Sequence, residues 1–299
     1  MIKPSGLHLL LTYQCIFECD HCFVWGSPRQ SGTFTLEQIR DVLNQAKEVG
    51  TIKTIYFEGG EPFLYYPILR RGIQLGNRLK FRTGIVTNGY WATSEKDAVE
   101  WLKPFKNIMN DLSISSDLYH YSEKISQQAQ NIRTAAGQLG IPMGVISIAQ
   151  PEVRDDVKSE NRPTTDEGTI MFRGRAAEKL ANKSPQHDWS QFISCPYENL
   201  AKPGRVHVDA YGNVHICQGI SIGNLFRTPL KEICKTYDPY NHPIIAPLLE
   251  KGPVELVRRY KLTHDKVYAD ACHLCYASRC QLLKDFPESL CPKEMYGIT

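Results

Sequence analysis

The chain has 299 residues, a formal net charge of +3 and 42% hydrophobic residues. That length allows one large core with a smaller companion, and so slight a charge does not indicate nucleic acid or a membrane surface as partner. No apolar run approaches the ~18 residues that span a bilayer, and the start, MIKPSGLHLLL, lacks the pattern of a secretory signal, so a cytoplasmic protein is expected.

Residues 1–180 alternate strand-like and helix-like segments. LHLLLTY (7–13) reads as a strand. TLEQIRDVLNQAKEV (35–49) reads as a helix, with Thr35 and Gln38 as a capping box, Phe34 and Ile39 as a hydrophobic staple, and Leu36, Ile39, Leu43 and Ala46 at the helical period. KTIYFEG (53–59) is a strand stopped by Gly59-Gly60. FLYYPILRRGIQLGNRL is mostly helical, with Pro67 tolerated near its start. FRTGIVT (81–87) is a strand, SEKDAVEWL a helix, DLSISS (111–116) a strand and YSEKISQQAQNIRTAAGQL a helix. IPMGVISIA (141–149) and GTIMF (168–172) complete six strands. Such alternation predicts an α/β fold with a parallel sheet. A closed eight-stranded barrel needs about 250 residues, so a partial (β/α)6 TIM-like barrel over 1–180 is expected, its functional groups on loops after the strand ends. The polar segment 151–168 is either a solvated connection or a lid. ANKSPQHDWS (181–190) reads as a linker. RVHVDAYGNVHIC (205–217) reads as a hairpin, and the rest of 181–299 as short helices in a small cysteine-rich domain.

Ten cysteines in a chain expected in a reducing compartment need explaining, and there metal binding or catalysis is favoured over disulfides. Cys15, Cys19 and Cys22 follow the first strand; none occurs over 23–194; the other seven lie from Cys195 onward. The spacing C-x3-C-x2-C also suits one face of a helix, but Phe17, Glu18 and Asp20 break an apolar stripe. Zinc is a second alternative, although structural zinc takes four ligands. Three thiolates suit a [4Fe–4S] cluster with one iron left open, since such cubes usually take four.

With this motif in the loop after the first strand, the sequence resembles the radical SAM enzymes. A second match is EGGEP, Glu58 to Pro62, at the end of the second strand. The resemblance implies that S-adenosylmethionine binds the open iron, that Gly59, Gly60, Glu61 and Pro62 meet its methionine amino group, and that reductive cleavage yields a 5′-deoxyadenosyl radical that abstracts hydrogen. Weaker matches are TNG (87–89) with Asn88, SISSD (113–117) with Ser115, Ile148 as packing for adenine, FRGRA (172–176), and His21 where the family usually has an aromatic residue.

Cys195, Cys217, Cys272 and Cys275 resemble the ligands of the auxiliary-cluster extensions called twitch and SPASM domains, which implies one auxiliary [4Fe–4S] cluster. A full SPASM pattern needs a cysteine where Lys284 stands. Zinc remains an alternative for this set. Cys280 and Cys291 are ligands or plain thiols, and Cys234 reads as buried packing. His207, His215, Asp209, His264 and His273 read as satisfied or surface groups rather than ligands. The expected activity is hydrogen abstraction leading to a two-electron oxidation, with an external one-electron reductant such as flavodoxin or ferredoxin. The alternative enzyme reading is a peptide-modifying maturase; against it, a first strand entered by about residue 7 is expected to leave no room for an N-terminal leader-binding domain, although a separate protein could supply one. A non-catalytic iron–sulfur or zinc protein is the reading from another class. The substrate, small molecule or peptide, and the catalytic proton acceptor are not identified; Tyr90, Asp117, Tyr119, His120 and Arg173 are candidates by strand-end position.

Overall fold

The structure, a computed structural model, describes residues 1–151 and 168–298. The segment expected to be a connection or lid therefore lies almost wholly outside the described residues. Four βα units and a fifth strand build the N-terminal part: β1 (Gly6–Thr12), α1 (Leu36–Val49), β2 (Thr54–Gly59), α2 (Tyr66–Arg78), β3 (Arg82–Thr87), α3 (Glu95–Leu102), β4 (Asp111–Ser115), α4 (Gln127–Leu139) and β5 (Met143–Ile146). Then follow α5 (Arg175–Lys179), β6 (His187–Asp188), β7 (Arg205–Asp209), β8 (Asn213–Cys217), β9 (Ile220–Asn224), α6 (Leu230–Thr236), α7 (Ile245–Tyr260), β10 (Val267–Tyr268) and α8 (Ala271–Leu282).

Local chemistry explains the helix ends. Thr35 caps α1 in a reciprocal box: its Oγ1 accepts from the Gln38 amide at 3.1 Å, and Gln38 Oε1 accepts from the Thr35 amide at 2.8 Å. Gly50 ends that helix in the left-handed region. Ile39, Val42, Leu43 and Ala46 form the buried face, whereas Leu36, expected on that stripe, is 43% exposed at the first turn. Ser94 and Ser126 cap α3 and α4.

One sheet runs in the order β5-β4-β3-β2-β1-β7-β8-β9. Every pairing from β5 to β7 is parallel, and β7-β8-β9 continue as an antiparallel meander. Leu7, Leu9, Leu10 and Leu11 of the central β1 are all fully buried, as a parallel strand covered on both faces requires. The result is the partial TIM-like barrel expected, open rather than closed, with one correction. The sixth parallel strand is β7, paired with β1 from His8↔His207 outward, and not GTIMF. That segment makes a single parallel bridge, Ile148↔Gly168, because Ile170 and Phe172 instead bury themselves against Ala176, Leu180 and Ala269 as the chain turns into α5. The expected linker is also ordered: β6 pairs with β10. Among the described residues no helix is long and apolar enough to cross a membrane.

Candidate functional site

A cleft opens at the C-terminal ends of β1 to β4. Cys15, Cys19 and Cys22 line it from the loop after β1, facing Gly59 and Gly60 from the end of β2, Asn88 after β3 and Ser115 at the end of β4. His21 and His120 also face it, with Phe17 and Phe23, which the sequence did not single out. The two glycines are required by space. A Cβ on Gly60 would lie 2.1 Å from the Gln14 carbonyl oxygen, and one on Gly59, at φ +128°, would lie 2.5 Å from that of Thr12. Backbone thus packs on backbone, which brings the end of β2 against the cysteine loop.

The thiols are held from several sides. The Phe17 amide donates to Cys15 Sγ at 3.4 Å, the Gly26 amide to Cys22 Sγ at 3.2 Å, and Asn88 Nδ2 to Cys15 Sγ at 3.5 Å. Burial pushes the Cys15 thiol up to about 12 and raises that of Cys19 as well, so a bound cation is what would keep these sulfurs ionised. The loop is anchored from FRGRA. Arg175 Nη1 donates to the Cys19 carbonyl and Nη2 to that of Gly26, while its amide donates to the Cys22 carbonyl. Gly174, at φ +60°, lies so close to Phe23 that a Cβ would meet its backbone at 2.6 Å. The sequence marked this segment but not the clamp, which joins residues 156 positions apart.

Three expected cofactor contacts lie elsewhere. Glu61 is fully buried behind the cleft: its carboxylate accepts from the amides of Phe63 and Asn88 and from the Thr87 hydroxyl at 2.8–2.9 Å. Burial pushes it up to about 7 against those donors. Pro62 is buried and starts a 3-10 turn. Ile148 packs beside Phe172, its amide donating to Asp117 at 3.2 Å, and does not line the cleft. Asp117, also buried, accepts from His120 Nδ1 at 2.8 Å; burial works to raise it, but His120 outweighs that and holds it below the usual carboxylate range. His21 stacks on Tyr119 with ring centres 4.5 Å apart, and burial lowers it to about 4, so it is neutral near pH 7. Tyr90 follows Asn88, whose Oδ1 accepts from its amide.

A second, small cavity gathers Cys195, Cys217, Cys272 and Cys275 with Arg173 and Arg279. Arg173, proposed from the sequence as a strand-end group, belongs here: Nη1 donates to Cys217 Sγ at 3.0 Å and its guanidinium lies 5.1 Å over the ring of Phe23. Cys280 and Cys291 do not line this cavity, and Cys234 is buried in α6. Among the described residues, two groups bring three donor atoms within 4.8 Å of one another, His8/Glu58/His207 and His21/Asp117/His120, and neither contains a cysteine.

Residues 9–133 match the radical SAM superfamily. The chain is 30% identical over 123 residues to the putative peptide biosynthesis protein YydG of Bacillus subtilis (strain 168), a stretch covering 41% of this chain and 39% of that protein. It is 34% identical over 97 residues to the PqqA peptide cyclase of Streptomyces rochei, covering 31% and 25%. The chain thus spans about two fifths or less of the length of these curated relatives. The crystal structure of BtrN in complex with AdoMet and 2-DOIA superposes with a TM-score of 0.54 at 16% identity, covering 80% of this chain and 85% of that one, which is a likeness of fold.

Proposed function

We propose that the chain, whose residues 9–133 match the radical SAM superfamily, is an enzyme that cleaves S-adenosylmethionine reductively and abstracts hydrogen from a C–H bond of a peptide. When bound, a [4Fe–4S] cluster with S-adenosylmethionine supplies one electron and then a 5′-deoxyadenosyl radical. The observation that carries the reading is the convergence of Cys15, Cys19 and Cys22 with Gly59-Gly60 on one cleft. Their donor set fits a cluster better than one zinc ion, whose thiolates at about 2.3 Å would crowd to within roughly 4 Å; no cysteine belongs to a three-donor group of that compactness among the described residues.

The chain's own residues hold and shield. The amides of Phe17 and Gly26 stabilise negative charge on two sulfurs, and Arg175 fixes the loop that carries all three. His120 is the cleft group equipped to take a proton: Asp117 engages Nδ1 and leaves Nε2 as acceptor. Peptide as substrate class rests on the two peptide-directed relatives. Two-electron oxidation, such as joining two carbons with loss of two hydrogens, is supported by Cys195, Cys217, Cys272 and Cys275 around one cavity, which suits a closed auxiliary [4Fe–4S] cluster. A cytoplasmic setting and an external reductant of the flavodoxin or ferredoxin class accord with this chemistry.

The test is anaerobic incubation of the iron-loaded protein with S-adenosylmethionine and dithionite. 5′-Deoxyadenosine should form well above the level given by Cys15→Ala. Equal amounts from both proteins would refute the reading.

A further inference from the structure

Beneath the cleft, three side chains from three neighbouring strands meet on one face of the sheet. His8 of β1 stands opposite His207 of β7, and Glu58 of β2 reaches between them. His8 Nδ1 lies 2.9 Å from Glu58 Oε2 and His207 Nδ1 lies 3.0 Å from Oε1. The ring centres of the two histidines are 5.0 Å apart. The sequence suggested a satisfied or surface role for His207, yet its ring is buried and its Nε2 has no hydrogen-bond partner. Glu58 is the member that lines the cleft.

We propose that His8, Glu58 and His207 form a site for a first-row divalent cation at the floor of the cleft, separate from both cysteine sets. The three donor atoms lie within 4.8 Å of one another. Each Nδ1 holds its own Glu58 oxygen by a hydrogen bond, at 2.9 and 3.0 Å; ligands on one cation at ~2.1 Å stand roughly 3 Å apart, so a cation would replace those two shared protons with little movement of the three side chains. Two imidazoles and one carboxylate suit zinc, iron or manganese and leave coordination positions open; with Glu58 at the cleft, those positions face its contents. Charge argues the same way. Among the described residues Glu58 pairs with no lysine or arginine, only with these histidines. A partly buried carboxylate with no lysine or arginine beside it can take a cation as its compensating charge.

The experiment takes the anaerobically purified protein with its clusters assembled, strips loosely bound Fe²⁺ and Zn²⁺ with EDTA and desalting, then titrates it with Mn²⁺ and reads free Mn²⁺ by electron paramagnetic resonance. Mn²⁺ is chosen because carboxylate and imidazole accept it while thiolates favour softer ions. Uptake of about one Mn²⁺ per chain is expected, at least tenfold weaker in Glu58→Gln and His207→Gln, unchanged in Cys234→Ser, and displaced by Zn²⁺ in the Irving–Williams order. No uptake by the unsubstituted protein at millimolar Mn²⁺, or equal uptake by Glu58→Gln, would overturn the site and leave a hydrogen-bonded cluster only. If His207→Gln does not fold, His8→Gln, nearer the surface, gives the same reading, and a Mn²⁺-induced rise in Tm present in the unsubstituted protein and lost in His8→Gln is the independent measure. None of these readouts depends on S-adenosylmethionine cleavage, so the site can fail while the proposed reaction stands, and the reverse.

Discussion

Arg175, the first residue of α5, clamps the loop of Cys19: its guanidinium donates to the Cys19 carbonyl at 2.9 Å and to the Gly26 carbonyl at 2.8 Å. It also lies 5.1 Å over the ring of Trp25, and it is 6% exposed. An exchange to methionine keeps the apolar stem but strands two carbonyls, at ~1–3 kcal/mol each. Arg175→Met should therefore lower Tm and weaken iron retention in the three-cysteine site. Iron and sulfide content after desalting measures it; iron retained at the unsubstituted level would show that the clamp does not position the loop.

Glu61 gives a pH dependence with a definite sign. Its folded value, about 7, lies above the ordinary 4.5, because burial outweighs three donors. The native state therefore binds the proton more tightly than the unfolded chain. The stability this contributes is fully present below about pH 4.5 and is lost as pH rises through about 7, on the order of 3 kcal/mol. The Tm difference between the unsubstituted protein and Glu61→Gln should accordingly narrow or reverse between pH 5 and pH 8. A difference constant over that window would mean that the donors from Phe63, Thr87 and Asn88 hold the carboxylate ionised throughout.

Thr35 is a cap whose effect on stability is separable from the chemistry. Thr35→Ala removes the acceptor for the Gln38 amide and keeps only the other half of the box, in which the residue-35 backbone amide donates to Gln38 Oε1. The expected cost is about 1 kcal/mol, read as a lower urea midpoint with an unchanged slope, and with unchanged iron content.

These two residues also mark what is legible in the chain. Thr35 and Gln38 act within one helical turn, so their box is readable from spacing alone. The cysteine triad and Gly59-Gly60 are readable because short motifs at two consecutive strand ends meet in any parallel βα sheet. The register His8↔His207 is not, because β1 gains its second neighbour from a hairpin 199 residues later and nothing local names that partner. GTIMF shows the opposite error: its composition suits a strand, yet Phe172 and Ile170 find a better burial against α5 and Ala269. The motif alone offers Glu61 as a charge facing a cofactor, but its hydrogen-bonded burial depends on Thr87 and Asn88 arriving from the end of β3.

Cys272 tests the division of labour between the two cysteine sets. Its cavity also encloses two guanidiniums: Arg173, donating to Cys217 Sγ, and Arg279, whose Nη1 donates to the Gln218 carbonyl at 2.9 Å. Both are buried, both remain charged, and each leaves Nε without a partner. Four thiolates around a cluster would supply the opposing charge, and removing one ligand should release the cluster and leave the cations poorly compensated. Cys272→Ala should thus lose about four irons per chain, lower Tm, and still yield 5′-deoxyadenosine slowly, because Cys15, Cys19 and Cys22 are untouched in the other cleft. Iron counting beside product analysis distinguishes the outcomes. Unchanged iron would remove the auxiliary cluster from the account, while abolished 5′-deoxyadenosine with four irons retained would mean that the two sites are coupled, with Arg173, between Cys217 and Phe23, the side chain that joins them.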